Sequence, residues 1–547
     1  MRAAPFFTVA TLVLLTACAT RSPAARLSPV SAAALEAHVR FLASDALEGR
    51  MTGTPGYRVA AEYVEAQFRQ LGLAPGAGES YLQDVPYAAA LIDGAGSSAR
   101  LVHKGNSRRL KWKDEFVAWA DPLQERTQAR AATVFVGYGV HAPELGHDDY
   151  AGVVVKGKIV VVVNGAPKSF PANQRAYNTS LYSKQVAAAS RGAVGFVLLR
   201  NAYESKQYPW ERIVKNVGVV PTMHWISEAG VASDHVPELA GKVILSEEAA
   251  PALFAGAPRT YAEVMAADEA AAALPAFDLA VTLDISRRNS LNRLSSPNVV
   301  GLLKGSDPAL ADEYVVYTAH LDHLGIGAPV NGDKIYNGAY DNAMGVATLI
   351  ETARLLAAGP APRRSVLFVA VGGEERGLLG SDYFARHPPI GAGRMVANIN
   401  LDMPLFLYPL ADVVAFGAEH SSLGPMVDAA ARAEGLALTP DPTPDEVIFI
   451  RSDQYSFVRQ GVPSVFLISG FGSTDPAVNG SEVVGNFRRT RYHSPGDDLS
   501  SPVDWDSARK FVRVNVGIGL TAANADAPPS WNAGNFFGDK FAPAKLR

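Results

Sequence analysis

A single cysteine, Cys18, stands in 547 residues. That excludes a disulfide framework and any zinc site built on thiolates. Charge of one sign is lacking too: 50 basic against 54 acidic side chains leave a formal charge of −4. With no bulk field to hold a polyanion, nucleic-acid binding has no electrostatic footprint. Past the first fifteen residues no apolar run is long enough to cross a bilayer. Apolar residues themselves are plentiful, at 48% against 19% charged, which excludes a disordered chain whose few apolar groups could not offset the entropy of ordering. At about 150 residues per domain the length suggests three to four domains, and two or three if they are large α/β units. Any bound metal must be held by His, Asp and Glu.

Arg2 precedes an apolar run ending Val9-Ala10-Thr11-Leu12-Val13-Leu14-Leu15, the length of a signal-peptide core and too short for a membrane span. It closes on Leu15-Thr16-Ala17-Cys18, which resembles the bacterial lipobox, where the cysteine is lipidated and becomes the first residue. Residues 1–17 are then a signal peptide and 18–30, rich in Ser, Pro and Ala, a tether. Ala19 rather than Asp follows the cysteine, and the resemblance implies an outer-membrane lipoprotein facing the periplasm. The alternative is an ordinary export signal and a secreted or periplasmic protein.

From Ser31 to Leu73 apolar residues recur at helical spacing and predict two helices around the turn-rich segment Glu48–Gly56. Residues 126–274 read as a compact β-rich module: strands at Thr133–Val140, within Val153–Val163 and at Ala193–Leu199, a helix at Ser183–Ser190, and an Ala-rich linker or helix from Ala249 to Leu274. From Pro297 strands and helices alternate: strands at Val299–Leu303, Val315–Ala319, Ser365–Val371, Val396–Leu401, Asp412–Phe416 and Val465–Ile468, helices at Val346–Leu356, Gly377–Phe384, Leu423–Glu434 and Ser507–Ala525. Such alternation predicts an α/β fold of three layers, a mostly parallel sheet flanked by helices. The large domain is expected over 31–125 and 275–547, with 126–274 inserted into it.

In a sheet of this kind ligands gather at the carboxyl ends of the strands. After Val315–Ala319 comes His320-Leu321-Asp322; before the Val346 helix comes Asp341-Asn342; after Ser365–Val371 come Gly372-Gly373-Glu374-Glu375; after Val396–Leu401 comes Asp402; before the last helix comes Tyr492-His493. Each alone is weak evidence, since Asp after a strand is commonly a helix cap and a lone His commonly structural. Jointly they are two histidines and several carboxylates on one rim, a donor set that suits zinc, with a carboxylate available to bridge two ions.

These segments, AHLDHLG, NGAYDNAMGVA, GGEERGLLGS, NLDM and YHSPGDD in that order, resemble the signature set of the M28 family of di-zinc metallopeptidases. LASDALEGRMTGTPG resembles the family's N-terminal segment, and VFVGYGV through AVGFVLL resembles the protease-associated domain often inserted in these enzymes. The resemblance implies two Zn2+ ions, one held by His320, Asp341 and Asp402, the other by Asp341, Glu375 and His493, with Asp341 as the bridge. It makes Glu374 the general base and Asp322 the residue that orients the His320 imidazole. The implied activity is an exopeptidase acting on peptides, first an aminopeptidase. The alternatives are a glutamate-carboxypeptidase-like dipeptidase and a catalytically inactive receptor or scaffold on the same fold.

Three neighbours depart from the pattern or lie beside it. Arg451–Phe457 resembles a loop flanking the family's pocket, but Gln454 stands where His is common; Asp453 and Tyr455 are its candidate pocket residues, Tyr455 as a donor to an oxyanion. His323, one residue past Asp322, has no role implied by the resemblance. Asp497 and Asp498 are expected to fix their own loop.

Overall fold

One strand of 27 residues, Phe277–Leu303, runs through both large sheets of the molecule. At about 3.3 Å per residue it spans on the order of 90 Å. Its first part alternates buried Leu279, Val281, Leu283 and Ile285 with exposed or half-exposed neighbours, the period-2 pattern of a half-covered strand. The computed structural model describes residues 29–542; the expected signal peptide, Cys18 and all of the tether up to Ser28 lie outside them.

The main sheet contains, in chain order, β1 (Leu82–Ile92), β2 (the 27-residue strand), β3 (Glu313–His320), β4 (Ser365–Val371), β5 (Arg394–Leu401), β6 (Asp412–Phe416) and β7 (Ser464–Ser469). Its centre is parallel, in the order β4-β3-β5-β7. Antiparallel strands close both sides: β2 and β1 beyond β4, and β6 beyond β7. β3, β4 and β5 are buried along nearly their whole length, as parallel strands covered on both faces must be.

The helices are α1 (Ala32–Leu42), α2 (Pro55–Gln70), α3 (Met344–Ala358), α4 (Leu379–Arg386), α5 (Leu423–Ala433), α6 (Gln454–Val458) and α7 (Trp505–Asn524). Val315, Tyr317, Ala319, Val366, Phe368 and Ala370 pack on one face against α1, α2, α3, α5 and α7. Val316, Leu367, Val369 and Val371 point the other way, onto Phe384 of α4 and Phe457 of α6. Three layers result, as the alternation of strands and helices predicts. Helix starts follow local chemistry: the Thr54 hydroxyl accepts from Tyr57 N–H ahead of Pro55, and Asp504 accepts from Ser507 N–H.

The second sheet holds a parallel group, Arg126–Phe135, Ile159–Val163, Gly195–Leu199 and Gly241–Leu245. It also takes Ser98–His103, Asn106–Arg109, Phe116–Ala118 and the first part of β2. Its strands therefore reach outside 126–274 on both sides, because the ladder partners of 126–135 are supplied by residues 277–288. Thr222–Trp225 crosses back to pair with β1 of the main sheet. Ala249–Leu274 carries two helices, Ala250–Leu253 and Tyr261–Glu269. Among the described residues no helix is long and apolar enough to cross a membrane.

Candidate metal centre

β4, β3 and β5 are adjacent and parallel, so their carboxyl ends share one edge of the sheet. β3 ends on His320; β4 is followed by Gly372, Gly373 and the turn Glu374–Arg376; β5 is followed by Asp402. The turn needs Gly373, whose φ is +74°, and Gly372, where a Cβ would meet the Tyr57 hydroxyl at 2.4 Å. Asp341 reaches the same edge from the loop ahead of α3, and His493 from the segment after the helix Gly480–Thr490.

Asp341 stands between the two histidines. Its Oδ1 lies 3.2 Å from His320 Nε2, and its Oδ2 lies 3.2 Å from His493 Nε2. His320 Nε2 is also 3.1 Å from Asp402 Oδ1. On the other side His493 Nε2 is 3.3 Å from Glu375 Oε2. His320, Asp341 and Asp402 form one group of convergent donors, and a second group contains Asp341, Glu375 and His323. The five residues expected as ligands are thus brought together, with Asp341 common to both halves.

The surrounding chain holds them in place. His320 Nδ1–H donates to the Asp322 carbonyl at 3.1 Å; a carbonyl can only accept, so Nε2 is left to face Asp341 and Asp402. The Asp322 side chain lies 3.9 Å from His320 Nδ1 and also accepts the N–H groups of Glu374 and Glu375, fixing the turn that presents both glutamates. Ser452 donates to Asp402 Oδ2 at 2.7 Å. Asn342 spans two loops, donating to Leu401 O and accepting from Gly345 and Met403 N–H. Asp497 does not serve only its own loop, since it accepts from Tyr340 and Asp341 N–H. Asp498 does stay local, on Ser500.

Arg50 is a buried support that no motif spacing reveals. It is 1% exposed and donates to four carbonyls, those of Leu42, Leu321, Asn337 and Gly338. Its own carbonyl accepts from His323 N–H, and its φ of +48° is left-handed. One guanidinium thereby clamps the end of α1 to the loops that lead into His323 and Asp341.

The electrostatics call for cations. Burial alone would lower His320, yet Asp402, Glu374 and Asp341 outweigh it and hold its pKa well above the usual histidine range. His493 behaves alike: burial lowers it, and Glu375 and Asp341 raise it further than that. Burial, with Asp402, Glu375 and Asp453 nearby, pushes Glu374 well above the carboxylate range. Burial would also raise Glu375, but the histidines around it keep it well below. Protonated histidines here occupy the role that divalent cations fill better. Imidazole and carboxylate donors, a shared carboxylate and fixed histidine orientation fit zinc.

The loop residues divide. Asp453 is fully buried beside the cluster, neither carboxylate oxygen has a hydrogen-bond partner, and burial pushes it up to about 7. Tyr455 packs elsewhere, in an apolar group with Phe416, Phe449 and Phe537, so its ring is not placed with the ligands. Gln454 is a strut, accepting from Asn400 and donating to Phe449 O. Two open cavities, ≈ 470 and ≈ 340 Å3, lie on other parts of the surface and none of the cluster residues lines them; donor chemistry, not cavity size, locates this site.

Residues 298–518 match the model of peptidase family M28. Over 271 residues the chain is 28% identical to a probable zinc metalloprotease of Pyricularia oryzae, covering 44% of this chain and 52% of that protein. It is 34% identical over 137 residues to the aminopeptidase NAALADL1 of Mus musculus, covering 24% of this chain and 16% of that one. The chain therefore spans about half the length, or less, of these curated relatives. Its fold is similar to that of an aminopeptidase from Aneurinibacillus sp. strain AM-1, with a TM-score of 0.51 at 19% identity, over 91% of this chain and 95% of the other.

Proposed function

From the match of residues 298–518 to the model of peptidase family M28, we propose that this protein is a two-zinc exopeptidase that removes N-terminal residues from peptides. The observation that carries it is Asp341, one oxygen toward His320 and the other toward His493. That arrangement supports the reading of two metal positions sharing one carboxylate, in which His320, Asp341 and Asp402 would hold one ion and Asp341, Glu375 and His493 the other. Zinc supplies Lewis acidity there, polarising a carbonyl and lowering the pKa of water.

The protein's own groups supply the proton traffic. Glu374 is the adjacent carboxylate not committed to a histidine. In the proposed reaction it takes a proton from the attacking water as the C–O bond forms, then delivers it to the leaving amine as the C–N bond breaks. Asp322 keeps it in position through the turn. With cations bound beside it Glu374 would stay ionised, and a substrate ammonium would then meet the carboxylates of Glu374 and Asp402.

Recognition of a substrate carboxylate would want a free guanidinium fork. Of the arginines ahead of His493, Arg488 is paired with Glu446, and Arg491 is bound to Gly496 and Ser500. The pairing of these two favours the amine end, while Arg376, beside Glu375 with its buried Nε and Nη2 unpartnered, is the guanidinium a carboxyl-end reading would use. The test is a panel of aminoacyl anilides, free and N-acetylated, beside release of glutamate from an N-acyl-aspartyl-glutamate. Cleavage confined to free-amine anilides, lost on chelation and restored by zinc, is expected. Fast glutamate release with inert anilides would replace the aminopeptidase reading with a carboxypeptidase one.

We also propose that Cys18 is lipidated and tethers the protein to the outer membrane, and that residues 126–274 are a protease-associated module. Cys18→Ser is expected to move the protein from the membrane to the soluble fraction with activity unchanged; full retention in membranes would refute the anchor.

A further inference from the structure

His323 is 1% exposed, and neither ring nitrogen has a hydrogen-bond partner. Buried polar groups are ordinarily paired. The ring is nevertheless held firmly. The His323 N–H donates to Arg50 O, and Gly338 packs so closely that a Cβ there would lie 2.6 Å from the ring.

Its Nδ1 lies 2.7 Å from Glu375 Oε1 and 3.8 Å from Asp341 Oδ2. At 2.7 Å the two form a close ion-pair contact whose angles fall outside hydrogen-bond geometry. Donor atoms of His323, Asp341 and Glu375 all lie within 4.8 Å of one another, close enough to share one ion. His493 approaches the other oxygen of the same carboxylate, and the two imidazoles stand 5.9 Å apart. Glu375 is therefore flanked by one histidine on each oxygen.

We propose that His323 is a direct donor to the second zinc position, which is then built from His323, His493, Asp341 and Glu375. This rests on the two-zinc reading above. It distinguishes the two halves of the centre: one has a single histidine, the other has two, one of them sealed in the interior while His493 is a third exposed.

The variant is His323→Leu, similar in volume and without ring nitrogens. The substitution also removes the ion pair to Glu375, so the zinc-free melting temperature is recorded beside the titration to separate folding from metal binding. Zinc content in a chelator-buffered titration should fall from two per chain toward one, with the affinity of the weaker site reduced at least about 10-fold, since even outer partners of a ligand are worth 10–100-fold. The absorption spectrum of the cobalt-substituted protein should change with the loss of one nitrogen donor. A folded variant with two zinc ions at wild-type affinity and an unchanged cobalt spectrum would overturn the proposal while leaving the two-zinc reading intact. Wild-type protein that binds no second zinc would overturn both. If His323→Leu does not fold, His323→Gln is read by the same titration and spectrum.

Discussion

The carboxylate of Asp497 accepts the main-chain N–H of Asp341 at 3.0 Å. A residue more than 150 positions downstream thus sets the backbone of the carboxylate shared by both halves of the centre. It takes the Tyr340 N–H as well, at 2.9 Å. Asn offers one acceptor oxygen where Asp offers two, so Asp497→Asn leaves one of these buried N–H groups unpaired at a cost of about 1–3 kcal/mol. Zinc affinity is expected to fall about 10–100-fold, as with other outer partners of ligands, while circular dichroism stays native. A chelator-competition titration reads this, and wild-type affinity would show that the Asp341 loop needs no such brace.

Glu374→Gln is nearly isosteric but cannot take a proton. Turnover is expected to drop about 10²–10⁴-fold with zinc content unchanged. Glu375→Gln, one residue on, should lose zinc instead. Metal analysis beside steady-state kinetics separates the two; equal zinc loss in both variants would mean that the glutamates share one role.

Arg50 serves four carbonyls from one planar group. Lysine has three donors and no fork, so Arg50→Lys keeps the charge and still strands buried acceptors. The expected loss of stability is about 3–5 kcal/mol, the scale for breaking a buried charged network. Zinc affinity should weaken with it, because the loops to His323 and Asp341 are what the guanidinium clamps. Denaturant unfolding of the zinc-free and zinc-loaded protein measures both terms.

Lys184 is 1% exposed, and burial pulls it down to about 7, with Asp149 and Glu204 too weak to compensate. Its pKa is ordinarily 10.5, so between those values the unfolded chain binds more protons than the folded one and stability rises with pH. The cost of charging Lys184 is fully present below about pH 7 and disappears toward pH 10, amounting to a few kcal/mol, roughly, at about 1.4 per unit. Lys184→Met should therefore raise the melting temperature more at pH 6 than at pH 10. A shift independent of pH would place the proton elsewhere.

Much of the main sheet and its helices was legible because the signals are local. Ser365–Val371 and Asp412–Phe416 are strands with the boundaries expected from their apolar runs, and Ser31–Leu73 holds the two helices its periodicity predicts. His320, Asp341, Glu375, Asp402 and His493 stood out by their positions just past strand ends or in the loops ahead of helices, and the fold does gather them. Residues 277–296 gave no legible strand, although Leu279, Val281, Leu283 and Ile285 alternate, because Arg, Asn and Ser interrupt the later part of a strand whose partners lie in two sheets.

What neighbouring residues can express, the sequence by itself determined: which segments are strands, where they end, and which side chains stand at those ends. Only the tertiary structure decided which atoms meet. Asp322 turned out to brace Glu374 through its carboxylate and His320 through its carbonyl, Tyr455 went to an apolar cluster, and His323 came to face Glu375. Arg50, far from every ligand in the chain, became the clamp beneath them. Side-chain direction at a strand end depends on the loops packed over it, and those loops are placed by long-range hydrogen bonds and burial that carry no local periodicity.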